Sequence, residues 1–462
     1  MSLTPTHTPR HAVGRLPAAV LDVDVAEPLP SVSPLADGRR VERVWLLVRA
    51  FTEPLGHLML DVPDAGLTPY MIATAIDRRF GPQIRDRIDA AGGDVTAGIP
   101  VVGVTAETTP PYLATRAEVL SDAPRITVVV CTRDRPDRLS ACLDSILAQR
   151  YFRYRVLVVD NAPSSHETEH VVREYARRAP VDYLREPRPG LSCARNAAVA
   201  AAPGEILAWI DDDVVADPFW LAEVARALTE HPDTDIVSGM IVPAELETDV
   251  QVWFEQFGGH SKGRGFTAAV FSPRTAREQN PLYPLPAFGT GANMIFRPGV
   301  IERFGGFDEA LGAGTPAMGS EDTLAFMQVL NAGGTVAYQP TALVRHYHRR
   351  DLVGLHKQMV GYGTGLTAAY TSLVLSNPRV IFRLLRLIPT ALRDVLGSHG
   401  VRSEGLREDF PRELLAANRS GMLRGPWLYL RGRRTNRKAA RTNQKRTHRA
   451  HPRVTSHRRR PS

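Results

Sequence analysis

Three aspartates stand in a row in "AWIDDDVVADP": Asp211, Asp212 and Asp213 follow directly on an apolar run. Carboxylates this close repel one another, so full ionisation of all three requires positive charge nearby. A hard divalent cation takes oxygen ligands of this kind, often one or two carboxylates completed by substrate phosphates and water. The plainer alternative is a solvated turn. A second acidic pair, Glu321 and Asp322 in "GSEDTLAF", opens a helical pattern, where acids also complement the helix dipole. Farther on, "VRHYH" offers His346, 24 residues after Asp322, and His348, which shares its strand face at a spacing of two. Asp217 with Pro218 reads as a helix cap ahead of "PFWLAEVARAL".

The elements that must position these groups are legible from Arg125 onward. "ITVVVC" is a β-branched apolar run, followed by Leu139, Cys142, Leu143 and Ile146 on one helical face. "RVLVVD" ends at Asp160 and precedes a helix carrying Val171, Val172 and Tyr175; "VDYLR", a helix over "SCARNAAVAAA" and "EILAWID" follow. The alternating order predicts an α/β fold, a mostly parallel sheet covered by helices. In such sheets ligands bind beyond the carboxyl ends of the strands, where Thr132, Asp160 and Asp211 to Asp213 all fall.

Composition bounds the rest. The 462 residues, 43% of them hydrophobic, suffice for two or three domains. We expect a flexible lead-in over 1–40, a small α+β unit over 41–115 with a hairpin around "TEPLG", and a linker in "TAETTPPYLATRAEVLSDAP". The α/β domain covers 125–370, a helical region 371–424, and a disordered basic tail 425–462. The formal charge is +8, but no acid follows Glu413 while 15 Lys and Arg do; removing them leaves −7 for the remainder. The tail therefore suits anionic lipid, and nucleic-acid binding would rest on it alone. Three cysteines are too few for a disulfide framework. No signal-peptide core or membrane-length apolar run stands out, which predicts a cytoplasmic protein. The Arg-studded apolar stretch from Val380 to Leu396 allows peripheral contact at the inner face of the plasma membrane. A dehydrogenase is disfavoured because "CTRDRPDR" holds no G-x-G-x-x-G, and a nucleotidyltransferase because no Gly-rich, Lys-bearing phosphate loop follows the first strand. Oligomeric state is not encoded in any pattern found.

"VVVCTRDRPDRLSACLDSIL", "VLVVDNAPSS", "PGLSCARNAAVAAAPGEILAWIDDDVVADPFWL", "GTGANMIFRPGVIERFGGFDEALG", "GSEDTLAF" and "VRHYH" occur in an order and at intervals that resemble glycosyltransferase family 2. The resemblance covers about half of the chain and implies a GT-A fold, a nucleotide-binding α/β half joined to an acceptor-binding half. It implies a nucleotide-sugar site at Thr132, Arg133, Asp160, Arg195, Asn196, Asp211 and Asp212, and Mn²⁺ or Mg²⁺ on Asp213 with Asp211. His346 is implied as a further ligand, with His348 the alternative. Asp322 is implied as general base of an inverting transfer, with Glu321 binding acceptor or positioning the site. The implied partners are a nucleotide-sugar donor and a saccharide or lipid-linked acceptor. "GGFDEALGAGTPAMG" could close over the sugar, and Trp253, Phe254 and Tyr283 either stack on an acceptor or pack in the core. The rival of another class is a non-catalytic nucleotide-sugar-binding or scaffold protein that keeps the fold.

Overall fold

The computed structural model describes residues 15–95, 98–261, 263–272, 282, 288–396, 406 and 410–450. Strands β1 (Arg15–Leu16), β2 (Ala19–Asp24), β3 (Leu35–Ala36), β4 (Arg39–Val41), β5 (Arg43–Ala50) and β6 (Glu53–Asp61) precede helix α1 (Pro69–Asp89). β5 and β6 form the expected hairpin. β5 is apolar on both faces, as a strand buried on both sides must be. Val44, Leu46 and Val48 pack with Ile72, Ile76 and Phe80 of α1, while Trp45 and Leu47 pack against Met240, Val242 and Leu343 of the main domain.

Two expectations are corrected here. The lead-in is ordered from Arg15, because β2 pairs with β5 in parallel from Ala19 opposite Val44 to Asp24 opposite Arg49. Its Pro-rich surroundings hide a strand, "AVLDVD", that needs a distant partner to form. The linker contains helix α2 (Pro111–Ser121), whose Arg116 is buried with its guanidinium 4.0 Å from the Phe219 ring centroid.

The main domain runs through β7 (Ile126–Thr132), α3 (Pro136–Leu147), β8 (Tyr154–Asn161), α4 (Glu167–Ala176), β9 (Val181–Glu186), α5 (Leu191–Ala201), β10 (Ile206–Asp211), β11 (Val214–Ala216) and α6 (Trp220–Glu230). It continues with β12 (Ile236–Pro243), α7 (Asp249–Gln256), β13 (Ala269–Phe271), β14 (Asn293–Phe296), α8 (Glu321–Asn331) and β15 (Val336–His346). Its sheet has the order β11-β15-β12-β14-β10-β7-β8-β9, with β13 also on β15. β10, β7, β8 and β9 are mutually parallel, and β12 and β15 run the same way. The antiparallel β14 separates these two groups. The fold is thus α/β around a mostly parallel sheet, as the alternating pattern predicts. β7 shows how the layers form: Val128 and Val130 join α3, α4 and α6 on one face, Val129 joins α5 and α8 on the other.

Helices α9 (Leu352–Ser376), α10 (Val380–Leu396) and α11 (Arg412–Ala450) complete the chain. α11 passes straight through Gly425, correcting the expected onset of disorder there. The cause is tertiary packing rather than composition. α9 and α11 touch backbone to backbone: a Cβ on Gly363 would lie 1.9 Å from the Asn418 carbonyl oxygen, and one on Gly425 2.0 Å from Thr367 Oγ1. Tyr429 then donates to Asp308 at 2.8 Å. Among the described residues no helix is long and apolar enough to cross a membrane.

Candidate active site

The aspartate triplet occupies the turn from β10 to β11, and its three side chains part company. Asp211 Oδ1 lies 3.8 Å from Arg195 Nη2. Asp212 is buried and accepts from Thr132 Oγ1 at 2.7 Å and from Arg135 Nη1 at 3.1 Å. Burial and the neighbouring Asp213 push its pKa up to about 6 against the pull of Arg135. Asp213 accepts from Arg135 Nη1 at 3.1 Å and stands 3.2 Å from His346 Nε2 and 3.9 Å from Arg349 Nη2. Burial opposes its charge, yet His346, Arg135 and Arg349 together hold it well below the ordinary carboxylate range. Reciprocally, Asp213 lifts His346 above the ordinary imidazole value although burial works the other way.

Register explains this meeting of residues far apart in sequence. β11 pairs antiparallel with β15, Val214 opposite His346, and the Tyr347 amide donates to the Asp213 carbonyl at 3.0 Å. One ligand atom each from Asp211, Asp213 and His346 lies within 4.8 Å of the others. Two carboxylates and an imidazole are a donor set that Mn²⁺ accepts and that Mg²⁺ can share. His348 instead turns its Nε2 to Glu255 at 2.8 Å, so His346 is the histidine beside the carboxylates. The two rings remain side by side, their centroids 5.6 Å apart, beyond the end of β15 at His346.

Arg195, buried in α5, joins this cluster to the second acidic pair. Its Nη1 donates to Glu321 Oε1 at 2.7 Å and its Nη2 to the Gly291 carbonyl at 3.3 Å. A Cβ at Gly291 would lie 2.6 Å from Arg195 Nη2, so a glycine is needed for this approach. Glu321 is buried at the start of α8; burial, opposed by Arg195 and aided by Asp322, pushes its pKa up to about 7. Asp322 is only partly buried and has both oxygens fixed, Oδ2 by the Gly291 amide and Oδ1 by the Thr323 amide, each at 2.6 Å. Immediately upstream, Met318 and Ser320 adopt left-handed φ values of 67° and 66°. Such conformations cost L-residues about 1–2 kcal/mol each and persist only where packing imposes them. α9 imposes this one, with Gly365 so close that a Cβ would lie 2.6 Å from Ser320 Oγ.

Asp160, the last but one residue of β8, lies opposite Thr132 in register. Its Oδ2 accepts from Tyr183 at 2.9 Å, while its Oδ1 is buried with no hydrogen-bond partner, and burial raises its pKa. Two residues of the expected nucleotide site have protein partners. Asn196 has both ends of its amide on the Phe307 backbone, at 2.9 and 2.7 Å, and so anchors the Gly-rich loop. Arg133 is half-exposed beside Asp134 at 3.7 Å, and Arg135, two residues on, meets the aspartates instead. Arg135 and Arg349 are the residues that sequence reasoning missed. The demand of the triplet for positive charge, set beside the three arginines of "CTRDRPDR", is the signal that points to the first. The Gly-rich loop is tied to α5, with Ser192 Oγ donating to the Leu311 carbonyl at 2.9 Å and Asn196 on Phe307. Phe254 is core, edge-on to His348, and Tyr283 lies outside the described residues. Asp217 does not cap α6 as expected: the N-cap is Phe219, without a side-chain cap bond, and Asp217 Oδ1 accepts from the Phe219 amide at 3.1 Å in the turn ahead of it.

Residues 127–305 match glycosyl transferase family 2, a span that holds the triplet and Arg195 and stops short of Glu321 and His346. The chain is 30% identical over 232 residues to the O-antigen biosynthesis protein RfbC of Myxococcus xanthus, covering 48% of this chain and 17% of that protein. It is 25% identical over 195 residues to a glucosyl-dolichyl phosphate glucuronosyltransferase of Haloferax volcanii, covering 41% of this chain and 57% of the relative. Among solved structures it is similar to a mannosyltransferase of Pyrobaculum calidifontis in complex with GDP-Man and Mn²⁺, at 20% identity and a TM-score of 0.39 over 71% of this chain and 82% of that one. The aspartate turn and Arg195 thus lie within the part of the chain, residues 127–305, that matches glycosyl transferase family 2.

Proposed function

We propose that the protein is a cation-dependent glycosyltransferase that moves a sugar, with inversion, from a nucleotide-sugar donor to a hydroxyl of a saccharide or lipid-linked acceptor. The observation that carries this reading is the convergence of Asp211, Asp213 and His346 within 4.8 Å, coupled through Arg195 to Glu321 and, by way of Gly291, to Asp322. Asp211, Asp213 and His346 would hold Mn²⁺ or Mg²⁺, which when bound would supply Lewis-acid stabilisation of the departing diphosphate. Asp160 Oδ1, a buried acceptor lacking a donor, takes an N–H or O–H from the base or ribose. Thr132 and Arg135 hold Asp212 in place, leaving Asp213 charged and turned to His346. Asp322 accepts the proton of the acceptor hydroxyl as it attacks the anomeric carbon. A single attack opposite the leaving group inverts the configuration. Glu321 acts through Arg195, as a positioning residue.

The name of the Haloferax relative specifies a lipid-linked sugar acceptor, and the surface of this chain suits a bilayer. Ile381, Phe382, Leu385 and Ile388 of α10 and Leu423, Trp427 and Leu430 of α11 are exposed, with Arg379, Arg383 and Arg386 interleaved. That combination is the signature of a helix lying on an anionic membrane surface.

Two substitutions test the chemistry. In calorimetric titrations with a panel of nucleotide sugars, Asp213→Asn should abolish the gain in donor affinity that Mn²⁺ gives the wild type; unchanged binding and turnover would remove the cation from that carboxylate. Asp322→Asn should leave donor affinity nearly intact while turnover falls about 10²- to 10⁴-fold, the usual worth of a general base. Wild-type turnover in that variant moves the base elsewhere.

A further inference from the structure

Three histidines meet where the segment between α7 and β13 folds over the end of β15. The ring centroids of His260 and His346 are 4.1 Å apart, and each lies 5.6 Å from that of His348. One ring nitrogen from each residue lies within 4.8 Å of the other two. His346 and His348 are buried, and each presents its Nε2 to a carboxylate: Asp213 at 3.2 Å, Glu255 at 2.8 Å. A carboxylate that accepts the Nε2–H fixes the tautomer and leaves the lone pair on Nδ1. Both Nδ1 atoms are buried and lack a hydrogen-bond partner. Phe254 walls the cluster, 4.8 Å from His348 and 5.1 Å from His260, edge-on to both.

Buried acceptors without donors are rare in folded proteins, and a cation satisfies them where hydrogen bonding does not. A set made of imidazoles suits late first-row transition ions such as Zn²⁺, Co²⁺ and Ni²⁺ rather than Mg²⁺ or Ca²⁺. A carboxylate on the far nitrogen of a ligating histidine is the outer arrangement that such sites use to orient the ring and raise its basicity. We propose that His260, His346 and His348 form an alternative cation site, for a transition ion such as Zn²⁺, which takes the ring of His346 through Nδ1 when the aspartate cluster does not hold it through Nε2. The proposal stands on the three imidazoles alone and does not require the transfer chemistry.

The full-length protein, stripped with a chelator, is titrated with Co²⁺ and followed by visible absorption, with Zn²⁺ calorimetry in parallel. The Asp211→Asn variant removes a ligand of the aspartate cluster without touching the three histidines, so it isolates the proposed site. It should still bind one equivalent of Co²⁺ with a ligand-field band and of Zn²⁺ in the calorimeter. Adding His260→Ala or His348→Ala should abolish the band. Glu255→Gln, which keeps all three imidazoles, should weaken Zn²⁺ binding about 10- to 100-fold; it serves as the second variant should a histidine variant fail to fold by circular dichroism. Absence of a Co²⁺ band in Asp211→Asn, a band that persists in the folded histidine variants, or unchanged Zn²⁺ affinity in Glu255→Gln overturns the proposal.

Discussion

Arg195 and Glu321 meet with side chains 3% and 6% exposed, and the guanidinium also neighbours Asp211 and the Gly291 carbonyl. A buried pair of this kind adds little net stability but is costly to break from one side. Burial leaves Glu321 with a raised pKa of about 7 against an ordinary 4.5, so between those values the folded chain binds a proton that the unfolded chain has released. Its contribution is therefore complete at the acid end and lost as pH rises through about 7. Denaturant unfolding of wild type and Glu321→Gln at a series of pH values should show the wild type losing stability relative to the variant across that window and a constant difference above it. A difference that does not change with pH would show that the folded state leaves this carboxyl unperturbed.

At the scale of elements, the candidate site depends on pairing more than on any one segment. β7, β8 and β10 are readable as apolar runs, and with them Thr132, Asp160 and the aspartates at their ends. The β11–β15 pair is not: Val214–Ala216 is too short to carry a pattern, and its partner lies more than a hundred residues away. Motif resemblance indicates His346, whereas Arg349 comes only from the fold, and for Arg135 the sequence offers the demand for positive charge but no periodicity that states which arginine of "CTRDRPDR" turns inward. α10 illustrates the opposite case, with arginines set among apolar residues already visible in the sequence, whereas the apolar residues of α11 after Gly425 fall in the stretch expected to be disordered. Phe382 and Trp427 are 67% and 62% exposed. Burying a large apolar side chain contributes on the order of 2 kcal/mol, so Phe382→Glu with Trp427→Glu should weaken sedimentation with phosphatidylserine vesicles by about 100-fold or more. Equal sedimentation would take these helices off the membrane.

For the whole molecule, the N-terminal module is built into the α/β domain. Arg49 of β5 donates to Asp217, at the start of α6, at 2.5 Å, with side chains 10% and 7% exposed, while Trp45 and Leu47 fill the gap beneath. Arg49→Ala would strand Asp217 and should destabilise the protein by about 3 kcal/mol, measurable as a shift in the unfolding midpoint. An unchanged midpoint would mean that the two units are merely juxtaposed. Only the hairpin and α1 of this module were legible; β2 escaped notice because a parallel partner 25 residues on defines it. The contact of α9 with α11 carries one more consequence. α9 is clasped by α11 on one side and presses on Ser320 with the other, so the wound turn ahead of Glu321 is held under tension by a helix that begins at Arg412. A chain ending before that helix would take Leu414 and Ala417 from the cluster around Leu355 and Met359, and Tyr429 from the one around Leu324, and with them the support of the turn ahead of Glu321.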